Sequence, residues 1–308
     1  MSWDDVKDQH LAKRLFQAHL ASGVPGQAYL LAGPDGVGKR SLALEMAKAI
    51  NCLEQKTEAC GACRQCRQIT AGNHPDLHMV SGSGASQTIK IDDIRHILGR
   101  VSLRPFNARA QVVIVDGAER LTEEAANSLL KTLEEPSAST RFLLLTANPA
   151  ACLPTVRSRC QLIYCRPLSP EVLEQIIREQ APKAAGQAGV IALAAHGSAA
   201  KALDLAGRWD EVEALRARLD APTREWLRQP MPETREGISE LLEVMITRLR
   251  ERAAEAAQAG EREAPQRRVE AAERLLALRE SLDQFVSPRL VATMARETWL
   301  NASLVDSP

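Results

Sequence analysis

Short apolar runs alternate with stretches of helical spacing through the first half of the chain. Ala28-Tyr29-Leu30-Leu31-Ala32, Leu77-His78-Met79-Val80, Val112-Val113-Ile114-Val115, Phe142-Leu143-Leu144-Leu145-Thr146 and Leu162-Ile163-Tyr164 predict five strands. Near-continuous apolar runs of this kind belong to parallel strands buried on both faces. Between them, Ser41 to Ile50, Ile91 to Leu98 and Glu123 to Leu133 carry apolar residues at helical intervals. The pair Asp92-Asp93 caps the second of these helices, and Pro136 stops the third. The strand at Phe142 is expected to run to near Asn148. The alternation predicts an α/β domain, a parallel sheet with helices on both faces. After Pro167 the strands cease. Residues 169–206 predict a few short helices, the last starting at Gly197-Ser198, and from about Trp209 the chain is predicted helical to its end. The polar, Gly-containing stretch Ala256 to Pro265 is expected to be a mobile helix–helix connection.

Composition narrows the function classes. A chain of 308 residues predicts two or three domains, and 45% hydrophobic residues supply ordinary cores. Aromatics at 3% argue against a stacking platform for single-stranded nucleic acid, and zero formal net charge against a dedicated DNA binder. The N-terminus Met1-Ser2-Trp3-Asp4-Asp5 is acidic and lacks the apolar core of a signal peptide. No apolar run has the length to span a bilayer, so a cytoplasmic protein with no membrane partner is expected. Four of the seven cysteines lie close together, which in a reducing compartment points to metal rather than disulfides.

The strand at Ala28–Ala32 runs into Gly33-Pro34-Asp35-Gly36-Val37-Gly38-Lys39-Arg40, the G-x-x-x-x-G-K frame of a phosphate loop. Such a loop wraps phosphates with backbone N–H groups, its Lys reaches the β/γ-phosphates, and a following Ser/Thr hydroxyl holds Mg²⁺. Arg40 stands where that hydroxyl belongs and cannot ligate a cation. Ser41 is no substitute, because one helical step turns a side chain by about 100°. The strand Val112–Val115 ends at Asp116, the residue that holds Mg²⁺ in a Walker B strand. Gly117 follows where hydrolysing proteins carry Glu, and Glu119 is not expected to reach that position.

Cys52-x7-Cys60-x2-Cys63-x2-Cys66 gives four thiolates in two overlapping C-x-x-C pairs, with Cys52 at the end of the preceding helix. Four sulfurs saturate a tetrahedral Zn²⁺, so a closed structural site is expected, with an iron–sulfur cluster, four free thiols or a redox dithiol as the alternatives. Cys152, Cys160 and Cys165 read as small core residues. Asn127-Ser128-Leu129-Leu130-Lys131-Thr132-Leu133-Glu134-Glu135-Pro136 is an amphipathic helix whose acidic end opposes the helix dipole. A broken local rule of this kind can mark a binding surface. Ser158-Arg159-Cys160 taken alone is a loop arginine, ordinarily just a solvated charge.

Together these strings resemble the AAA+ clamp-loader family of bacterial DNA polymerase III. The matching residues are Gly33–Lys39, the four-cysteine insert, His74-Pro75-Asp76, Asp116, Asn127 to Pro136, Phe142 to Asn148 and Ser158-Arg159-Cys160. A weaker match continues through Gly197-Ser198. The resemblance implies an AAA+ module over residues 1–166 with a zinc insert at 52–66. A small helical lid at 167–207 and an all-α collar at 208–308 would follow it. It implies a hetero-pentameric ring in which this chain meets motor subunits of the gamma/tau type and a delta-like subunit, and loads a sliding clamp on primed DNA. It assigns Arg159 as an arginine finger acting in trans on ATP held by a neighbour. Gly33, Gly36, Gly38, Lys39 and Asp116 become a degenerate nucleotide site, and Cys52, Cys60, Cys63 and Cys66 the zinc ligands. Arg40, Gly117 and Ala200, the last standing where motor lids carry a sensing Arg, imply a subunit without ATPase activity of its own. Two alternatives stay open on the residues. One is an active motor subunit, favoured by steady turnover of the isolated chain. The other is a zinc-stabilised DNA-binding protein, favoured by tight DNA binding without assembly.

Overall fold

In the computed structural model the five predicted strands form one all-parallel sheet. They are β1 Ala28–Ala32, β2 Leu77–Ser81, β3 Gln111–Asp116, β4 Thr140–Thr146 and β5 Gln161–Tyr164, in the order β2-β3-β4-β1-β5. The structure describes residues 3–23, 26–83, 87–101, 104–135, 137–220, 230–261, 263–282 and 286–303. The predicted stop at Pro136 lies outside them. The chain divides into two compact units, Met1–Ala206 and Gly207–Pro308.

In the first unit, side chains alternate across the sheet and build two cores. Tyr29, Leu31, Val112, Ile114, Leu143, Leu145 and Ile163 pack on one face. They meet helices α1 His10–Ala21 and α2 Lys39–Asn51 through Phe16, Leu42, Met46 and Ile50. Leu30, Val113, Val115, Phe142 and Leu144 face the other way, towards α4 Ile91–Val101 and α5 Glu123–Glu134. A strand period of two with both sets apolar is what coverage on both faces requires. The helix starts follow local chemistry. Lys90 N–H donates to Asp93 Oδ2 at 2.9 Å, and Thr122 Oγ1 accepts from Ala125 N–H at 3.2 Å. Strand β4 ends at Thr146, short of Asn148. There Asn148 N–H donates to Thr146 Oγ1 and Asn148 Oδ1 accepts from Ala150 N–H, which turns the chain away from the sheet. The remaining α-helices starting in this unit are α3 Arg64–Thr70, α6 Pro154–Arg157, α7 Pro170–Gln180, α8 Ala188–Ala194 and α9 Ala199–Gly207.

The second unit is helical among the described residues: α10 Trp209–Leu219, α11 Arg235–Gln258, α12 Ala264–Leu282 and α13 Pro288–Ser303. Its core includes Trp209, Ile238, Leu242, Met245, Leu249, Leu275, Val291 and Trp299. The link between α11 and α12 is shorter than the expected stretch from Ala256 to Pro265. Glu261 N–H donates to Ala256 O, and Gly260 N–H to Ala257 O, with Gly260 at φ +80°. That pair of bonds is a Schellman cap, a tight stop that needs a left-handed glycine.

One feature of the first unit lies outside the predicted pattern. Glu45 and Lys48, one helical turn apart on α2, form an ion pair with side chains 0% and 1% exposed. Removing one partner would strand a charge in the core. Lys48→Met is therefore expected to destabilise the chain by about 3–5 kcal/mol. The double variant Glu45→Leu/Lys48→Met should recover most of that loss. Denaturant unfolding of the three proteins measures both.

Candidate functional site

The parallel sheet brings its carboxyl ends to one edge, where α/β folds bind ligands. The register sets Ala32 beside Thr146 and Asp116 beside Leu145, so the phosphate loop after β1 and Asp116 at the end of β3 share that edge. Gly38 caps α2 at φ +95°, which starts the helix at Lys39. A Cβ on Gly33 would lie 2.3 Å from Cys165 O, so the loop passes too close to the segment after β5 for any other residue.

Within this loop the two cations have protein partners. Lys39 Nζ donates to Gly33 O at 2.6 Å and Pro34 O at 2.8 Å, and lies 3.3 Å from Asp35 Oδ1. Arg40 Nη1 lies 3.9 Å from Asp116 Oδ2. Lys39, Arg40, Asp116, Gly117 and Glu119 line one cavity of about 260 Å³. Ser41 lines a separate cavity of about 440 Å³ with Val37, Gly38, Leu168, Ile176 and Ala199. The hydroxyl is thus turned away from Asp116, as the helical step requires. Glu119 does line the Asp116 cavity, and its Oε1 accepts from Ala147 N–H at 3.3 Å.

The segment after β5 closes on the loop tip. Ala199 N–H, at the start of α9, donates to Gly36 O at 2.8 Å. A Cβ on Gly36, at φ +77°, would lie 2.1 Å from Ser198 Oγ and 2.9 Å from Ala200 Cβ. Ala200 therefore sits against the phosphate loop. Gln9 adds a tie that sequence reasoning missed. Its buried amide donates to Val37 O (3.2 Å) and Arg166 O (2.8 Å) and accepts from Arg166 N–H (2.9 Å). A lone Gln before a helix carries no sequence signal for such a role.

Arg159 lines neither cavity. It stands in the turn between α6 and β5, its side chain 35% exposed and ion-paired with Glu134 at the end of α5. Its Nη1 also donates to Thr155 O at 3.0 Å and Ser158 Oγ at 3.4 Å. Of the nearby cysteines, burial pushes the Cys160 thiol up to about 12 and the Cys165 thiol up to about 11.

The four clustered cysteines converge at the far end of α2, their Sγ atoms all within 4.8 Å of one another. Tetrahedral Zn–S bonds of about 2.3 Å set sulfurs about 3.8 Å apart, so the cluster can hold a metal ion. Backbone donors already point at the sulfurs: Gln55 and Cys60 N–H at 3.4 Å from Cys52 Sγ, Cys63 N–H at 3.2 Å from Cys60 Sγ. Burial acts to raise Cys63, but hydrogen bonds from Leu53, Cys66 and the adjacent thiols outweigh it and bring it down to about 7.

From this module a buried relay runs to an exposed loop. Gln65, between two of the cysteines, accepts from the His74 ring at Nε2 and donates from its amide to Asn107 O at 2.6 Å. His74 Nδ1 accepts from Asp76 N–H at 3.0 Å, and burial holds this imidazole below its usual value, so it is neutral. The Asp76 carboxylate takes three successive backbone N–H groups, from Phe106 (2.7 Å), Asn107 (3.0 Å) and Ala108 (3.0 Å). Burial alone would raise this carboxyl, but those donors hold it below the usual carboxylate range. His74-Pro75-Asp76 is thus a device for fixing loop 104–110, at whose tip Phe106 is 81% exposed.

A family model described as DNA polymerase III, delta subunit matches residues 8–169 of the chain. DNA polymerase III subunit delta' of Bacillus subtilis is 38% identical over 181 residues, 58% of this chain and 54% of that protein. The subunit of the same name from Pseudomonas aeruginosa is 37% identical over 164 residues, 53% of this chain and 48% of that protein. The chain thus spans about half the length of these curated relatives. DNA polymerase III subunit tau of Escherichia coli is 36% identical over 211 residues, 66% of this chain and 32% of that protein. Among solved structures, a DNA polymerase III gamma subunit-related protein of Thermotoga maritima shares the fold with a TM-score of 0.50 at 19% identity. The match covers 95% of this chain and 100% of that one.

The relay predicts coupling between the cysteine module and the exposed loop. Loading the four cysteines with Zn²⁺ and then stripping it with a chelator is expected to speed amide hydrogen exchange at 104–110. Gln65→Leu should do the same with the metal retained. Exchange unchanged in both would break the link.

Proposed function

This chain belongs to the DNA polymerase III delta-subunit family, and from that premise we propose that it is a non-hydrolysing, delta'-type subunit of a clamp loader. In this reading residues 1–166 are the AAA+ module, 167–207 its lid and 208–308 the collar that joins the ring. The neighbours are gamma/tau-type motor subunits and a delta-like subunit, and the assembly loads a sliding clamp on primed DNA. Zinc fills the four-cysteine site and serves structure. No helix among the described residues is long and apolar enough to cross a membrane, which agrees with a replication protein working in the cytoplasm.

The observation that carries the reading is the contact of Arg40 with Asp116. Phosphoryl transfer needs a divalent ion bridging the β- and γ-oxygens, held by a loop hydroxyl and an acidic strand end. Here a guanidinium faces the acid and the hydroxyl is missing. The pair is partly exposed, 60% and 32%, so it adds little stability; its effect is on what can occupy the seat. Gly117 offers no group to orient a water. These features favour the delta' reading over the motor, although tau relatives match the same region.

Arg159 supports the second half of the proposal. Its guanidinium is at the surface and lines neither cavity beside the chain's own phosphate loop, which suits a role towards a neighbour's nucleotide. An arginine supplied in trans stabilises charge on the transferring phosphoryl group, worth about 10³–10⁵ in rate in other systems. Its planar fork stays charged and grips phosphate oxygens two at a time.

Two measurements test this. In a loader reconstituted with motor subunits, Arg159→Ala is expected to abolish turnover at the one adjoining site and with it clamp loading, while the ring still assembles. The chain alone should show no turnover. Undiminished clamp loading would reduce Arg159 to a surface charge. Separately, Arg40→Thr should gain Mg²⁺-dependent nucleotide binding by equilibrium dialysis without gaining hydrolysis, because Gly117 is unchanged.

A further inference from the structure

The acidic end of α5 breaks a local rule, and the structure supplies a reason. Carboxylates at a helix C-terminus meet the negative end of the dipole, typically at a cost of about 0.3–1 kcal/mol. Glu134 is the last residue of α5, and its carboxylate is ion-paired with Arg159 Nη2. The other nitrogen of the fork, Nη1, is tied to Thr155 O and Ser158 Oγ. Both terminal nitrogens of the guanidinium thus have partners in the chain's own surface. A phosphate oxygen approaching from outside must compete with Glu134 for Nη2.

We propose that Glu134 is a positioning residue that holds Arg159 against the chain until a nucleotide phosphate on a neighbouring subunit displaces it. This deepens the trans reading of Arg159 and rests on it. The chemistry is a straight exchange of one anionic partner for another on the same fork. Glu134 is 49% exposed, so the contact is weak enough to break on binding, in the range of exposed ion pairs. It still limits the rotamers of a long side chain and keeps the cation from pairing elsewhere. The exchange is made in the ground state and the transition state alike. Its signature is therefore in KM and not in kcat.

The test uses the intact chain and the reconstituted loader with Glu134→Gln and Glu134→Asp. In the chain alone, modification of Arg159 by phenylglyoxal, followed by peptide mass spectrometry, should run about two- to fivefold faster in Glu134→Gln, the ceiling set by an exposed ion pair. Glu134→Asp should fall between that variant and the parent. In the loader, Glu134→Gln should lower the KM for ATP by a similar factor with kcat unchanged, and should do nothing in an Arg159→Ala background. Thermal stability of Glu134→Gln should be equal or slightly higher, because a charge opposing the dipole is gone. Unchanged labelling of Arg159, or an unchanged or raised KM, would overturn the proposal. If Arg159→Ala leaves the loader's kinetics intact, the trans reading fails. The labelling rates then decide by themselves whether Glu134 holds Arg159.

Discussion

The interior strand β1 is buried along its whole length, and each of its backbone groups must find a hydrogen-bond partner where water does not reach. It finds them in β4 on one side and β5 on the other, in parallel register. That constraint organises the first unit. Parallel pairing requires a crossover after each strand, and the crossover helices cover the two faces. It also lines up the carboxyl ends of β1, β3 and β4. A glycine loop, an acid and a threonine far apart in sequence therefore meet at one edge. The ladder continues past the strands, with Gly33 N–H on Thr146 O and Gly117 N–H on Leu145 O, which fixes the loop before any ligand arrives.

At that edge the electrostatics are already balanced from within. A nucleotide site normally presents unpaired N–H groups and a Lys to phosphate, and an acid to a divalent ion. In this chain Lys39 is turned onto carbonyls of its own loop, Arg40 faces Asp116, and the start of α9 rests on Gly36. Each contact is modest. Together they give Lys39, Arg40 and Asp116 partners within the chain itself.

A similar economy governs the two peripheral features. The cysteine module is linked through Gln65 to a neutral His74 and from there to Asp76, whose carboxylate satisfies three consecutive backbone donors. A buried carboxylate with that many partners anchors the backbone at Phe106, Asn107 and Ala108. At the carboxyl end of α5, Glu134 takes an unfavourable place on its helix and is ion-paired with Arg159. In both cases a polar group sits where packing alone would disfavour it, and a specific partner accounts for it.

All five strands, the glycine loop between β1 and α2, the four cysteines and the turn of Ser41 away from Asp116 were legible in the sequence. Each depends on residues near one another in the chain, on an apolar period or on a fixed spacing. The end of β4 and the α11–α12 link were misjudged by a few residues, because an Asx-type turn at Asn148 and a Schellman cap at Gly260 are decided by single hydrogen bonds. The ties of Gln9 and Gln65, the buried pair Glu45–Lys48, the entry of Glu119 into the Asp116 cavity and the grip of Glu134 on Arg159 had no sequence signature. Local spacing determined which elements form and which chemistry they could carry. Only the tertiary structure decided which polar groups meet, because a long side chain has several partners within reach and the packing of distant elements selects among them.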